Sequence, residues 1–142
     1  MSLFSAMAVS ASGMAAQRTR AELLVENLAN SETTRTPEGG PYRRKDAVFA
    51  SQPMATSFAS LFDAHLQEGV EVQEISVDTR DPERRYMPGH PDADADGYVA
   101  FPRMNPAEDM VDLNGAARGF EANVAAISAV KDMIMRSIDL FK

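Results

Sequence analysis

Apolar residues recur at alternating steps of three and four near both ends of the chain, and not in its middle. Toward the N-terminus the positions are Phe4, Met7, Ala11, Met14, Arg18, Ala21, Val25 and Leu28. Toward the C-terminus they are Met110, Leu113, Ala117, Phe120, Val124, Ile127, Lys131, Ile134, Ile138 and Phe141. A step averaging 3.5 residues keeps one helix face turned toward a partner helix. Two long helices are therefore predicted, paired as an antiparallel coiled coil through these stripes. Only Arg18 and Lys131 interrupt them, either snorkelling at the seam's edge or setting register against a neighbour.

The first helix is predicted over residues 3–29, ended by Asn30-Ser31 and the downstream Pro37. Val9, Ala16 and Leu23 form a second apolar line on its opposite side. The second helix opens on Asn105 as N-cap, Pro106 in the first turn and Glu108 where it can complete a capping box. It runs to the end of the chain, and Met133, Met135 and Leu140 make its last turns apolar nearly all round. A helix apolar on two faces is buried on two faces. The stripes are expected to close the subunit, and the leftover faces to bind neighbours.

Between the helices the period falls to two. Strands are predicted at 41–49, around Val70–Val77 and at 97–101, the second with a bulge, since Val70 and Val72 are out of phase with Ile75 and Val77. Phe58, Leu61, Phe62 and Leu66 suggest a short helical or irregular segment. Six of the eight prolines fall between 41 and 102 and break up long regular structure. The fold class expected is mainly α: residues 1–30 with 106–142 form a helical inner domain, and 31–105 a small β-rich outer module.

Composition narrows the function. The formal charge is −7, and the middle segment carries most of the acidity, which argues against nucleic-acid binding. No cysteine is present, so disulfides and thiolate metal sites are excluded. No signal peptide and no membrane-spanning stretch are expected. The run Asp92-Ala93-Asp94-Ala95-Asp96-Gly97 copies the first half of an EF-hand loop, but Arg103 stands where the bidentate Glu belongs. It reads as an acidic turn leading into a strand, with weak calcium binding as the lesser alternative. Two histidines, His65 and His90, and no nucleophile or phosphate-loop motif point to a non-enzyme without cofactor or metal.

The segments Ala11-Ser12-Gly13-Met14-Ala15-Ala16-Gln17-Arg18 and Glu26-Asn27-Leu28-Ala29-Asn30-Ser31 resemble the N-terminal signature of bacterial flagellar rod and hook proteins. Pro41-Tyr42-Arg43-Arg44-Lys45, the run from Gly89 to Val99 and Ala116-Ala117-Arg118-Gly119-Phe120-Glu121-Ala122-Asn123-Val124 narrow this to the proximal rod. The chain departs from the family at Arg103-Met104, Asn114-Gly115 and Phe120. The resemblance implies a structural subunit of the hollow drive shaft, exported through the flagellar type III apparatus without a cleaved signal. Its implied partners are sister rod subunits, further copies in a helical assembly and the export-gate adaptor at the rod base.

The assembly interface is expected to draw on Phe4, Met7, Val9, Met14, Leu23, Val25 and Leu28 of the first helix. The second helix would add Leu113, Phe120, Val124, Ile127, Ile134, Ile138 and Phe141. Arg18, Lys131, Arg43, Arg44 and Lys45 are expected as polar register or inter-subunit contacts. A helical-hairpin adaptor or secreted effector with one partner is the competing class, and it needs only one sticky face.

Overall fold

A computed structural model describes residues 3–53 and 68–140. The chain order is α1 (Leu3–Ala29), β1 (Lys45–Pro53), β2 (Glu68–Val77), β3 (Glu83–Tyr86), β4 (Tyr98–Phe101) and α2 (Pro106–Asp139). The architecture is mainly α with two small antiparallel sheets, β1–β2 and β3–β4. At 27 and 34 residues, the helices are roughly 40 and 50 Å long. The expected residues 58–66, His65 among them, and Phe141 lie outside the described residues.

α1 has the expected bounds. It closes where the Asn30 N–H bonds the carbonyls of both Glu26 and Asn27, at 3.1 Å each. α2 opens on Asn105, whose extended backbone frees its side chain to accept the Ala107 N–H at 3.1 Å. That bond satisfies one of the orphan donors of the first turn.

The helices run antiparallel, with Gly13 beside Asn123, Gln17 beside Gly119, and Arg20 paired with Asp112 at 3.4 Å. The contact is made by small residues. Ala16 and Ala116 are fully buried. A Cβ at Gly13 would meet the Asn123 amide at 3.0 Å, and one at Gly119 would meet the Gln17 side chain at 3.1 Å. Two backbones approach this closely only where side chains are absent or small.

This seam corrects the sequence reading. On α1 the buried line is Ala16, Leu23, Leu24 and Asn27, while Phe4 and Val25 of the heptad stripe are exposed. Counting about 100° per residue, that stripe lies roughly opposite the buried line. On α2 the buried meridian is Asp109, Ala116 and Val130, and Met110, Ala117, Phe120 and Val124 sit to one side of it. The two faces of α1 exist as read, with their roles exchanged. Close approach selects for small side chains, which hydrophobic periodicity does not weigh.

β1 and β2 pair antiparallel from Lys45↔Val77 to Pro53↔Glu68, with a register shift between Val48 and Phe49. Val48 faces Glu74 and Phe49 faces Val72, so Gln73 is the extra residue of a bulge. The slip in apolar phase marks that position. The expected strand at 41–49 begins later, at Lys45. β3 (Glu-Arg-Arg-Tyr) has no apolar alternation to announce it. Its partner β4 contributes the buried Val99 and Phe101, with Pro102 following.

A polar junction fastens the hairpin to α1. Asn27, fully buried, donates through Nδ2 to the Lys45 carbonyl at 2.8 Å. Its Oδ1 accepts from the Lys45 N–H and the Tyr42 hydroxyl, both at 3.0 Å. The amide thus acts as one more rung at the base of β1. Beyond β2, the Asp78 N–H bonds the Arg44 carbonyl at 2.8 Å. The Asp78 carboxylate accepts from the Arg80 guanidinium and from the Arg80 N–H. Those bonds lower its pKa to about 2.

Replacing Asn27 with Ala strands the Tyr42 hydroxyl and both main-chain groups of Lys45. A loss of about 2–4 kcal/mol in urea-unfolding stability is expected, and a loss below about 0.5 kcal/mol would refute this junction. For Asp78 the depressed pKa means the native state favours the carboxylate. The stabilisation is complete above the ordinary carboxylate range and is lost as pH falls toward 2. An NMR titration should find a midpoint near 2 that rises in Arg80→Ala. An ordinary midpoint unaffected by that substitution contradicts the assignment.

Candidate assembly surface

The largest feature outside the seam is uncovered apolar surface. Phe4 is 74% exposed, Val25 53%, Val124 43% and Leu140 86%. Phe120, Ile138, Met133 and Met135 are exposed as well, as are Val48, Ile75 and Val77 on the hairpin. A monomeric protein seldom leaves so many large apolar side chains in water without a partner for them.

The expected interface residues divide. Phe4, Val25, Phe120, Val124 and Ile138 stand free, while Met7, Val9, Met14, Leu28, Leu113, Ile127 and Ile134 are half-buried. Leu23 is buried within the subunit and is withdrawn from the outer surface. Arg18 lies on the exposed face of α1 and is held by Glu22, one turn on, at 2.8 Å. Lys131 is exposed on α2.

The basic run also divides. Lys45 pairs with Glu26 of α1 at 2.6 Å. Arg44 places Nε and Nη2 on Asp109 Oδ1 at 3.1 and 2.8 Å, and Nη1 on Asp46 at 2.7 Å. Within the chain these two cations act as fasteners between the hairpin and the two helices. Arg43 alone points outward, donating to the Asp78 carbonyl at 3.0 Å.

Asp109 sits in the first turn of α2 with 1% exposure, so the Arg44 pair crosses from the hairpin to the second helix in a desolvated place. Burial disfavours the Arg44 charge. The Asp109 hydrogen bond and the carboxylates of Asp46, Asp109 and Asp112 outweigh it and raise the pKa. Tyr42, beside the same junction, is pushed up to about 12, first by burial and then by the Glu26 carboxylate. Asn27, Tyr42 and Asp109 were not among the expected functional residues. Their signal lies in contacts between distant segments, and a polar residue within a helix gives no local sign of burial.

The acidic run is occupied by turn-making. Asp92 accepts from the Thr34 hydroxyl at 2.7 Å and pairs with Arg35. Asp94 accepts the N–H groups of Asp96 and Tyr98 at 3.0 and 2.8 Å and pairs with Arg84. Those bonds, the Tyr98 N–H foremost, lower its pKa. Gly97 carries φ +81°, a conformation suited to glycine. His90 Nδ1 accepts the Asp92 N–H at 3.1 Å, which spends that nitrogen within the turn.

A groove of about 260 Å³ between α1, β1 and α2 is lined by Arg20, Leu23, Leu24, Ala47, Phe49 and Asp112, among others. It brings together no nucleophile with a base. No helix among the described residues is long and apolar enough to cross a membrane.

Comparison with known proteins agrees with this surface-dominated picture. Residues 95–140 match the family model described as flagellar basal body rod FlgEFG protein C-terminal. The flagellar basal-body rod protein FlgC of Bacillus subtilis is 39% identical, with 100% of both chains covered. The protein of the same name from Borreliella burgdorferi is 36% identical over 100% of this chain and 99% of its own. The one from Salmonella typhimurium is 33% identical over 99% and 98%. With identity sustained along the full length, the chain belongs to the FlgC family of flagellar basal-body rod proteins.

Proposed function

We propose that the chain is a structural subunit of the proximal rod, and that the exposed faces of α1 and α2 are its polymerisation surfaces. The observation that carries this reading is that α1 leaves Phe4 and Val25 of its heptad stripe exposed while the opposite side closes the subunit. A hairpin adaptor with one partner has no use for a second apolar face. Residues 1–30 and 106–142 act as a coiled-coil inner domain around the axial export channel, and 31–105 as the outer module. Sister rod subunits, further copies of the chain and the adaptor at the rod base cover the free surface. No catalytic step and no cofactor belong to this role.

The energetics favour a cooperative tube. Each fully buried large apolar side chain contributes about 1.5–3 kcal/mol, and the free faces offer several per subunit. Before assembly, the outer halves of the helix pair hold few buried residues. Burial in α1 begins at Ala16, and the last buried residue of α2 is Val130. Local opening is easiest where buried contacts are fewest. Amides of residues 5–12 and 132–140 in the isolated chain are therefore expected to exchange at least about a hundredfold faster than those of 20–27. Equal protection throughout contradicts this gradient.

Val25→Asp and Val124→Asp each place a charge on a free face without touching the seam. Introduced into a flagellated host lacking its own rod subunit, each is expected to be made and secreted normally, yet to build no rod and restore no swimming. Wild-type swimming by both variants would overturn the rod reading.

A further inference from the structure

The charges of the middle module do not balance where they stand. One small cleft at the base of the β1–β2 hairpin is lined by Arg43, Arg44, Arg80 and Arg103, with Asp78 as its only carboxylate. Arg44 is satisfied by Asp109 and Asp46, and Arg80 by Asp78. Among the described residues, Arg43 has only the Asp78 carbonyl. Arg103 is exposed and acts on Asp78 and Glu83 only at a distance. Among the described residues, two guanidiniums are therefore left without a carboxylate, in a chain whose formal charge is −7.

The matching negative charges lie on the same hairpin. Val48 and Ala50 are two residues apart on β1 and share a face, and their partners are Glu74 and Glu71. Residues three apart on a regular strand point to opposite faces. The bulge at Gln73 removes that opposition, and the two carboxylates stand side by side, two rungs and roughly 7 Å apart. Both are exposed, and neither is ion-paired among the described residues.

We propose that Arg43 and Arg103 receive the Glu71–Glu74 pair of a second copy of this chain. The inference rests on the polymer reading above and names one of its contacts. Donor and acceptor are different patches of one surface, so the contact is head-to-tail. A head-to-tail contact that does not close on itself propagates as a helical array. Guanidinium–carboxylate pairs, being directional and bidentate, add register to the non-directional apolar faces. Pro41 and Pro82 on the cleft lining restrain the backbone beside the arginines.

Charge exchange tests this in the full chain, expressed in a flagellated host lacking its own rod subunit, with rods counted in isolated basal bodies. Arg43→Glu with Arg103→Glu, and separately Glu71→Arg with Glu74→Arg, are each expected to lower rod yield at least about tenfold. Combining all four is expected to restore it, because the reversed charges then meet across copies. Arg43→Gln with Arg103→Gln, a milder change, should give the same loss. Circular dichroism and the level of secreted subunit establish that each variant is folded and exported.

Normal rods from either paired exchange or from the Gln pair overturn the proposal. So does a folded, secreted fourfold variant that builds none, since the acidic partner is then another protein. Should Val124→Asp abolish rods while the charge variants build them, the contact is wrong and the rod reading stands. Should Val124→Asp and Val25→Asp also build them, the rod reading itself fails.

Discussion

The base of the β1–β2 hairpin is held to α1 by the amide of Asn27. It sits near the end of α1, at the one level where helix, loop and first strand converge, and it supplies both a donor and an acceptor to the backbone of Lys45. A side-chain amide has the same pair of groups as a peptide unit. The helix can therefore offer the strand a surrogate edge without unwinding. Hydrogen bonds of this kind gain little over those to water, but their buried partners are costly to abandon.

From that point the connections spread outward. Tyr42 leans its hydroxyl on the same amide, Lys45 reaches back to Glu26, and Arg44 reaches forward to Asp109 at the start of α2. Four consecutive residues, 42 to 45, touch both helices and the first sheet. The Arg44–Asp109 pair is nearly dry on its acidic side, and breaking such a pair costs more than making it contributes. Its value lies in position: it sets where the second helix begins relative to the first. Farther along, the seam relies on Gly13, Ala16, Ala116 and Gly119 and carries few large apolar contacts.

Much of this was legible beforehand. The bounds of α1, the opening of α2 at Asn105 and Pro106, the phase slip that becomes the bulge at Gln73 and the two-faced character of α1 all follow from local rules of period and capping. The choice of which α1 face closes the subunit does not. Apolar spacing ranks Phe4, Met14 and Val25 above Gly13 and Ala16, whereas close packing of two backbones ranks them the other way. The junction residues were hidden for a different reason. Asn27 is separated from Lys45 by 18 positions and Arg44 from Asp109 by 65, and no local pattern reports such pairings. Lys45 and Arg44 looked like surface charge because their partners lie elsewhere in the chain. The free residues Phe4, Phe120, Val124 and Ile138 belong to the expected set, and Leu23 is the member that moved inside.

The two glycines of the seam carry a dimensional consequence. Where Gly13 meets Asn123 and Gly119 meets Gln17, the axes of the helices are set by contact of backbone with side chain. The width of the pair is then a hard stop, with no compressible layer of large side chains to vary it. In a single molecule, a few tenths of an ångström at such a stop is of little account. In a lattice, the same error is repeated by every copy and accumulates around each turn. Gly13 and Gly119 can be regarded as gauge blocks, fixing the caliper of one part of the rod.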